Sequence, residues 1–142
     1  LAGCIFRNNL LKLDRHVTMA DDGGLQTLHV KNGKPGDLYL FLSYSGIHYD
    51  YSKYAATLSE RGIKPCLITA ESDSALAKQC DTVLLIPKSE RVIGKVANYS
   101  SMISLTYTLQ VIYSLIFNQD YQENYRVKRE ADSFIFTSFA EI

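Results

Sequence analysis

The 142-residue chain lacks tryptophan and has only three prolines and three cysteines. It also lacks an excess of either charge, because 15 Lys and Arg residues balance 15 Asp and Glu residues. A nucleic-acid-binding domain that works alone usually carries a net positive field, so this balance argues against such a role for the segment itself. A chain of this length buries about two-thirds of its unfolded surface, so it can hold a core without disulfides or metals.

The cysteines form no motif. Cys4, Cys66 and Cys80 are odd in number, widely spaced and set in apolar stretches rather than in a CxxC or Cys/His cluster. This pattern is typical of reduced, packed thiols in a cytoplasmic protein. We therefore expect a cytoplasmic location, no metal and no cofactor.

Long hydrophobic runs are also missing. No uninterrupted apolar run reaches the roughly 20 residues that cross a bilayer. Thr106, Thr108, Gln110 and Ser114 interrupt the densest apolar stretch, residues 105–117. We therefore expect no membrane partner. The chain begins with Leu1 and shows no secretory leader, so we expect it to be part of a longer protein.

The middle of the sequence alternates strand-like and helix-like segments. The apolar run at residues 38–42 is too short for an isolated helix and is typical of a strand buried on both faces. A helical pattern ending at Gly62 follows it, and then come a strand at 65–69, a short helix at 74–79 and a strand at 82–87. This alternation predicts an α/β fold in which helices cover both faces of a parallel sheet.

Helical patterns dominate both ends of the chain. Residues 1–14 predict a helix, residues 16–20 a short strand, and residues 25–30 a short helix. Residues 98–117 predict a long helix that is apolar around much of its circumference. We expect it to be buried between the sheet and a second surface such as a dimer partner. Residues 119–130 are compatible with a helix, and residues 134–139 are apolar and unassigned.

The loop Ser43-Tyr44-Ser45-Gly46 joins the first strand of the alternating region to the helix after it. Ligands of open α/β sheets bind at this position. Two hydroxyls, a glycine that lets the backbone approach closely, and free amides at a helix start suit a phosphate group. The same residues also make a good N-cap without any ligand, and the local sequence leaves both interpretations open.

Three stretches of the sequence resemble a known family. KPGDLYLFLSYSG, a helix ending in SERG, and IKPCLITAESDSALAKQCDTVLLIP are similar to the SIS (sugar isomerase) domain in the sensor half of RpiR-type bacterial transcription regulators. The resemblance covers residues from about 4 to 117, and SYSG and LITAESDSALAKQCD are its specific parts. It implies a three-layer, flavodoxin-like parallel sheet that binds a sugar phosphate and forms a homodimer, with Ser43 and Ser45 holding the phosphate.

The resemblance also shows where this sequence departs from the family. Family members begin with a further strand and a loop carrying another phosphate-binding serine, and regulators place a DNA-binding helix-turn-helix domain ahead of the sensor. Nothing before Leu1 supplies these parts, so we expect a domain that lacks its first strand and contacts DNA only through a separate N-terminal domain. His48 replaces a hydroxyl that commonly faces the phosphate. Its imidazole would donate a charge-assisted hydrogen bond there, or the pocket would be lost or differently shaped.

These expectations define a SIS domain over residues 1–118 and a helical tail over residues 119–142. We expect a non-catalytic, phosphosugar-sensing domain of an RpiR-type regulator. Its expected ligand-binding residues are Ser43, Tyr44, Ser45, Gly46, His48 and Glu90.

Two alternatives remain open at this point. The first is a phosphosugar aldose–ketose isomerase in which Glu90 or His48 removes the proton from the sugar's C1 or C2. In a sensor, Glu90 would instead be a solvated loop carboxylate. The second is a domain kept for dimerisation only, with a defunct pocket.

Further polar residues on the same rim have two possible roles each. Thr69, Ser72 and Ser74 would add hydroxyl contacts to a ligand or cap the short helix. Lys88, Arg91 and Lys95 would steer an anionic ligand or lie in a solvated loop.

Overall fold

The structure, a computed structural model, describes residues 1–91, 93 and 96–140. Within these residues the elements are α1 (Ala2–Leu11), α2 (Gly23–Asn32), β1 (Tyr39–Leu42), α3 (Tyr49–Glu60), β2 (Pro65–Thr69), α4 (Ala75–Gln79), β3 (Thr82–Leu85), α5 (Tyr99–Gln119) and α6 (Tyr121–Ala140). They fall into two compact units. One comprises residues 20–105, and the other comprises residues 1–19 with the described residues from Thr106 onward.

The unit of residues 20–105 contains a parallel sheet with the strand order β1-β2-β3. Tyr39 pairs with Pro65 at the start of one ladder, and Cys66 pairs with Thr82 at the start of the other. A helix connects each pair of neighbouring strands, as parallel pairing requires, with α3 between β1 and β2 and α4 between β2 and β3. The predicted α/β fold with a parallel sheet is therefore confirmed.

The core of this unit is built around β2, whose Leu67 and Ile68 are fully buried. Leu67 lies in a cluster with Ala55 of α3 and Leu76 of α4. A second buried cluster joins Val30 of α2 to Leu58 of α3 and to Ile63. Both clusters involve α3, so the helix that follows the Ser43–Gly46 loop is fixed to the core along its length.

Two predictions about strands are wrong. Residues 16–20 form no strand, because a strand needs a hydrogen-bonded neighbour and, among the described residues, only β2 pairs with β1. The strand at residues 39–42 is only partly buried, rather than buried on both faces. The cause is its place at one edge of the sheet. The opposite edge strand is more exposed still, since Leu85 of β3 is 62% exposed.

Arg61 follows α3 and caps the end of α2 with its guanidinium group. Its Nη1 donates to the backbone carbonyls of Val30 and Lys31, and its Nη2 donates to the carbonyl of Gly33. The last carbonyls of a helix otherwise have no helical partner, and they carry the negative end of the helix dipole. One side chain therefore attaches α2 to the end of α3.

Replacing Arg61 with Ala is expected to lower the free energy of unfolding by about 1.5–3 kcal/mol, because charge-assisted hydrogen bonds to three carbonyls are lost. Urea denaturation of the native and variant chains measures the difference. Arg61→Lys is the matched control, since it keeps the charge but not the planar fork, and we expect an intermediate loss. Equal stability of the native chain and Arg61→Ala would contradict the capping role.

The second unit contains α1, most of α5, and α6. The long helix predicted at residues 98–117 is confirmed as α5, and the unassigned residues 134–139 belong to α6. Asn124 joins the two helices, because its buried Nδ2 donates to the carbonyls of Ile116 and Phe117 in the last turn of α5. Asn9 of α1 donates to the side chain of Gln110. Side-chain amides thus connect the helices of this unit.

By length and composition alone, α5 would suffice to cross a membrane, since it has 21 residues and a mean hydropathy of 1.3 over its most apolar window. This is weak evidence for a span, because core helices of soluble proteins meet the same criterion. Leu109 is buried, but Ile103, Tyr107 and Leu115 are 63–70% exposed. The second surface expected to cover this helix, such as a dimer partner, stays a prediction.

Candidate anion-binding site

The Ser43–Gly46 loop leaves the carboxyl end of β1 and is hydrogen-bonded to the end of β2. The Ser43 amide donates to the Ile68 carbonyl at 3.1 Å, and the Ala70 amide donates to the Tyr44 carbonyl at 3.0 Å. Fully buried Thr69 donates its hydroxyl to the same Tyr44 carbonyl at 3.1 Å and accepts from the Glu71 amide. The backbone of the loop is therefore fixed by the neighbouring strand.

Both serine side chains bond to amides of their own loop. Ser43 Oγ accepts from the Gly46 amide at 3.2 Å, and Ser45 Oγ accepts from the Ile47 amide at 3.4 Å. A hydroxyl oxygen accepts through its lone pairs and keeps its own hydrogen for donation. The O–H groups of Ser43 and Ser45 can therefore donate to an anion while these internal bonds persist.

Gly46 is buried and has a φ of +64°, a conformation that favours glycine. A Cβ at this position would lie 2.2 Å from Ser74 Oγ and 2.4 Å from Ser74 Cβ. Ser74 is the N-cap of α4, where its hydroxyl accepts from the Ala77 amide at 3.1 Å. The loop therefore packs directly against the start of α4, and of the two roles considered for Ser74 the structure shows the cap.

His48 is the last residue before α3, and its imidazole stacks on Tyr51. The ring centroids are 4.0 Å apart and the planes differ by 17°. Tyr51 in turn contacts Phe41 of β1, with ring centroids 5.5 Å apart. The exposed imidazole is thereby held on the first turn of α3, two residues after the loop glycine.

Glu90, in the loop after β3, has its carboxylate bound to the first turn of α5. Oε1 accepts from the Ser101 amide at 2.7 Å, and Oε2 accepts from the Ser101 hydroxyl at 2.9 Å. The backbone of Glu90 bonds to Tyr44, whose hydroxyl accepts from the Glu90 amide at 2.8 Å and donates to the Glu90 carbonyl at 3.1 Å. Glu90 is thus half-buried and hydrogen-bonded rather than solvated. The sequence analysis missed Ser101, which carries no motif of its own.

The charged side chains at this rim are partly matched. Lys88 forms an ion pair with Glu71, across the loops that follow β3 and β2. The pair holds the pKa of Glu71 below its usual range and the pKa of Lys88 above it. Arg91 is exposed, and Lys95 lies outside the described residues. In the part of the chain that the structure describes, no three His, Cys, Asp or Glu side chains group as a metal site.

A parallel sheet whose first strand-to-helix loop carries two hydroxyl donors is typical of α/β domains that bind small ligands. Comparison with known families gives the particular one. The model of the SIS domain family matches residues 11–116, so the chain belongs to the SIS domain family. The family resemblance read from the sequence is thereby confirmed.

Solved structures with low sequence identity share this fold. The Vibrio vulnificus NanR protein complexed with ManNAc-6P has a TM-score of 0.84 and 18% identity over 96% of this chain and 51% of that chain. The chain therefore spans about half the length of NanR. The sugar isomerase domain of an RpiR transcription factor from Sphaerobacter thermophilus has a TM-score of 0.75 and 22% identity over 93% of this chain and 72% of that chain.

A third structure extends the comparison beyond proteins described as regulators. E. coli CFT073 c3406 in complex with arabinose 5-phosphate has a TM-score of 0.67 and 15% identity, over 87% of this chain and 68% of that chain. No curated protein matches the sequence. The predicted flavodoxin-like SIS fold is confirmed by these likenesses, which at such identities concern the fold alone.

Proposed function

We propose that the chain is the phosphosugar-sensing domain of an RpiR-type transcription regulator and binds the phosphate of its ligand at the Ser43–Gly46 loop. The observation that carries this proposal is the arrangement of Ser43 and Ser45, whose hydroxyl oxygens bond to loop amides while both O–H groups remain able to donate. The start of α3 follows the loop and adds the positive end of a helix dipole.

Two structures with this fold support the choice of ligand, since NanR is complexed with ManNAc-6P and c3406 with arabinose 5-phosphate, both sugar phosphates. In the proposal, Ser43 and Ser45 donate to the phosphate, Gly46 and Tyr44 set the loop conformation, and His48 faces the sugar. The proposal includes the division into residues 1–118 and 119–142, a homodimer, a cytoplasmic location, and DNA binding through a separate helix-turn-helix domain.

Replacing Ser45 with Ala is expected to weaken sugar-phosphate binding about tenfold to a hundredfold, the usual value of a hydrogen bond to a charged group. Isothermal titration calorimetry with ManNAc-6P, arabinose 5-phosphate and inorganic phosphate measures the affinity, and thermal unfolding should show little change. Ser59→Ala is the matched control, because this exposed serine lies at the far end of α3. Native affinity in Ser45→Ala would refute the assignment of the loop.

The two alternatives predict different results with the same materials. An isomerase would interconvert aldose and ketose phosphates, which NMR detects, and turnover abolished by Glu90→Gln would replace the sensor proposal. The carboxylate of Glu90 instead bonds to Ser101, which supports a non-catalytic role. A domain kept for dimerisation would show no thermal shift with any sugar phosphate.

A further inference from the structure

Tyr44, Glu90 and Ser101 form a continuous chain of hydrogen bonds from the candidate loop to α5. The Tyr44 hydroxyl bonds to both the amide and the carbonyl of Glu90, and the Glu90 carboxylate bonds to both the amide and the hydroxyl of Ser101. Ser101 is 4% exposed and lies in the first turn of α5, where amides have no helical acceptor. Glu90 therefore acts as an N-terminal cap supplied from another segment of the chain.

The same chain of bonds fixes the position of the two serines. Tyr44 lies between Ser43 and Ser45, and its backbone carbonyl is already held by the Ala70 amide and the Thr69 hydroxyl. Its side chain is held at the other end by the backbone of Glu90. Since both ends of Tyr44 are held, the orientation of the neighbouring serines depends on where the Glu90 loop lies.

The position of the Glu90 loop depends in turn on α5, because two charge-assisted bonds attach its carboxylate to the helix. An acidic side chain at this end of a helix is also favoured by the helix dipole. A disturbance at the first turn of α5 is therefore transmitted through Glu90 and Tyr44 to the loop, and a ligand on the loop acts in the opposite direction.

We propose that Glu90 is a positioning residue that couples anion binding at the Ser43–Gly46 loop to the stability of the first turn of α5. The inference rests on the proposed function, because the anion is the ligand proposed there. It replaces the expectation that the Glu90 carboxylate contacts the ligand or removes a proton from it. Thermodynamic reciprocity requires that whatever loosens the cap weakens anion binding and that the anion tightens the cap.

The test combines binding with hydrogen exchange on the full 142-residue chain. In the native chain, saturating ManNAc-6P or arabinose 5-phosphate should slow amide exchange in the first turn of α5, residues 99–103. Glu90→Gln replaces an oxygen acceptor by an amide nitrogen, and Tyr44→Phe removes only the hydroxyl. Each variant should weaken binding by about fivefold or more, and each should lose the slowing of exchange even at saturation.

Control variants separate coupling from a general loss of structure. Glu60→Gln removes the same charge at an exposed position in the last turn of α3 and should bind and exchange as the native chain does. Glu90→Asp keeps the carboxylate and should recover part of the coupling. If Glu90→Gln does not fold, Ser101→Ala, which keeps the amide donor to Glu90, provides the same measurement with a smaller expected loss.

The outcomes distinguish this inference from the proposed function. If the native chain binds and Ser45→Ala weakens binding, but Glu90→Gln and Tyr44→Phe bind as the native chain does, the loop assignment stands and the coupling is refuted. Binding weakened equally by both variants, with the exchange response intact, also refutes the coupling. If the native chain binds neither sugar phosphate nor inorganic phosphate, both proposals fail together.

Discussion

Replacing Gly46 with Ala is expected to lower the free energy of unfolding by about 2–5 kcal/mol, the sum of a left-handed backbone penalty and an overpacking penalty. Sugar-phosphate binding should be lost in the same variant. A methyl group at this position would lie 2.2 Å from Ser74 Oγ, so either the loop or the start of α4 must move. Both proposed phosphate donors are in that loop, and a shift of either one changes the geometry of the site.

Gly62 provides a matched control for this prediction. It has a φ of +73°, close to that of Gly46, but nothing lies within 4 Å of its added Cβ. Gly62→Ala should therefore lose only the backbone penalty, about 1–2 kcal/mol, and should bind as the native chain does. Urea denaturation of the three chains gives the comparison. Equal losses in Gly46→Ala and Gly62→Ala would show that the contact with Ser74 costs nothing.

The elements that local pattern determines are the ones the sequence predicted. The strand at Pro65–Thr69 is a short apolar run between punctuating residues, and its predicted bounds agree with the structure. The helix after the loop and its stop at Gly62 also follow from local spacing, because a glycine with positive φ ends a helix. The candidate loop is local too, since four consecutive residues carry its hydroxyls and its glycine.

What the sequence did not predict depends on partners distant in the chain. The bond from Glu90 to Ser101 joins two segments with no shared motif, so the carboxylate could be assigned only to a ligand or to solvent. Arg61 caps a helix that ends about 30 residues earlier. The strand pattern at residues 16–20 is locally plausible, but pairing decides whether a strand forms, and periodicity contains no information on pairing.

Replacing Leu67 with Ala is expected to lower the free energy of unfolding by about 2–5 kcal/mol, because a fully buried leucine leaves a cavity as well as losing its own transfer energy. Leu67 is 0% exposed on the central strand and lies in a cluster with Ala55, Leu76 and Ala77. Phe41 and Tyr51 pack against the same cluster, and His48 stacks on Tyr51. The cavity therefore lies beneath the start of α3, next to the candidate loop.

Leu85→Ala removes the same atoms from an edge strand where the side chain is 62% exposed, so its stability should change by no more than about 0.5 kcal/mol. Urea denaturation of both variants tests the difference, and equal losses would contradict the assignment of β2 as the centre of the core. Sugar-phosphate affinity separates packing from chemistry, because neither variant alters a proposed ligand contact. Under conditions where Leu67→Ala stays folded, its affinity should fall only as far as the stacked His48 and the loop loosen. The loss should be smaller than that of Ser45→Ala, in which a donor itself is removed.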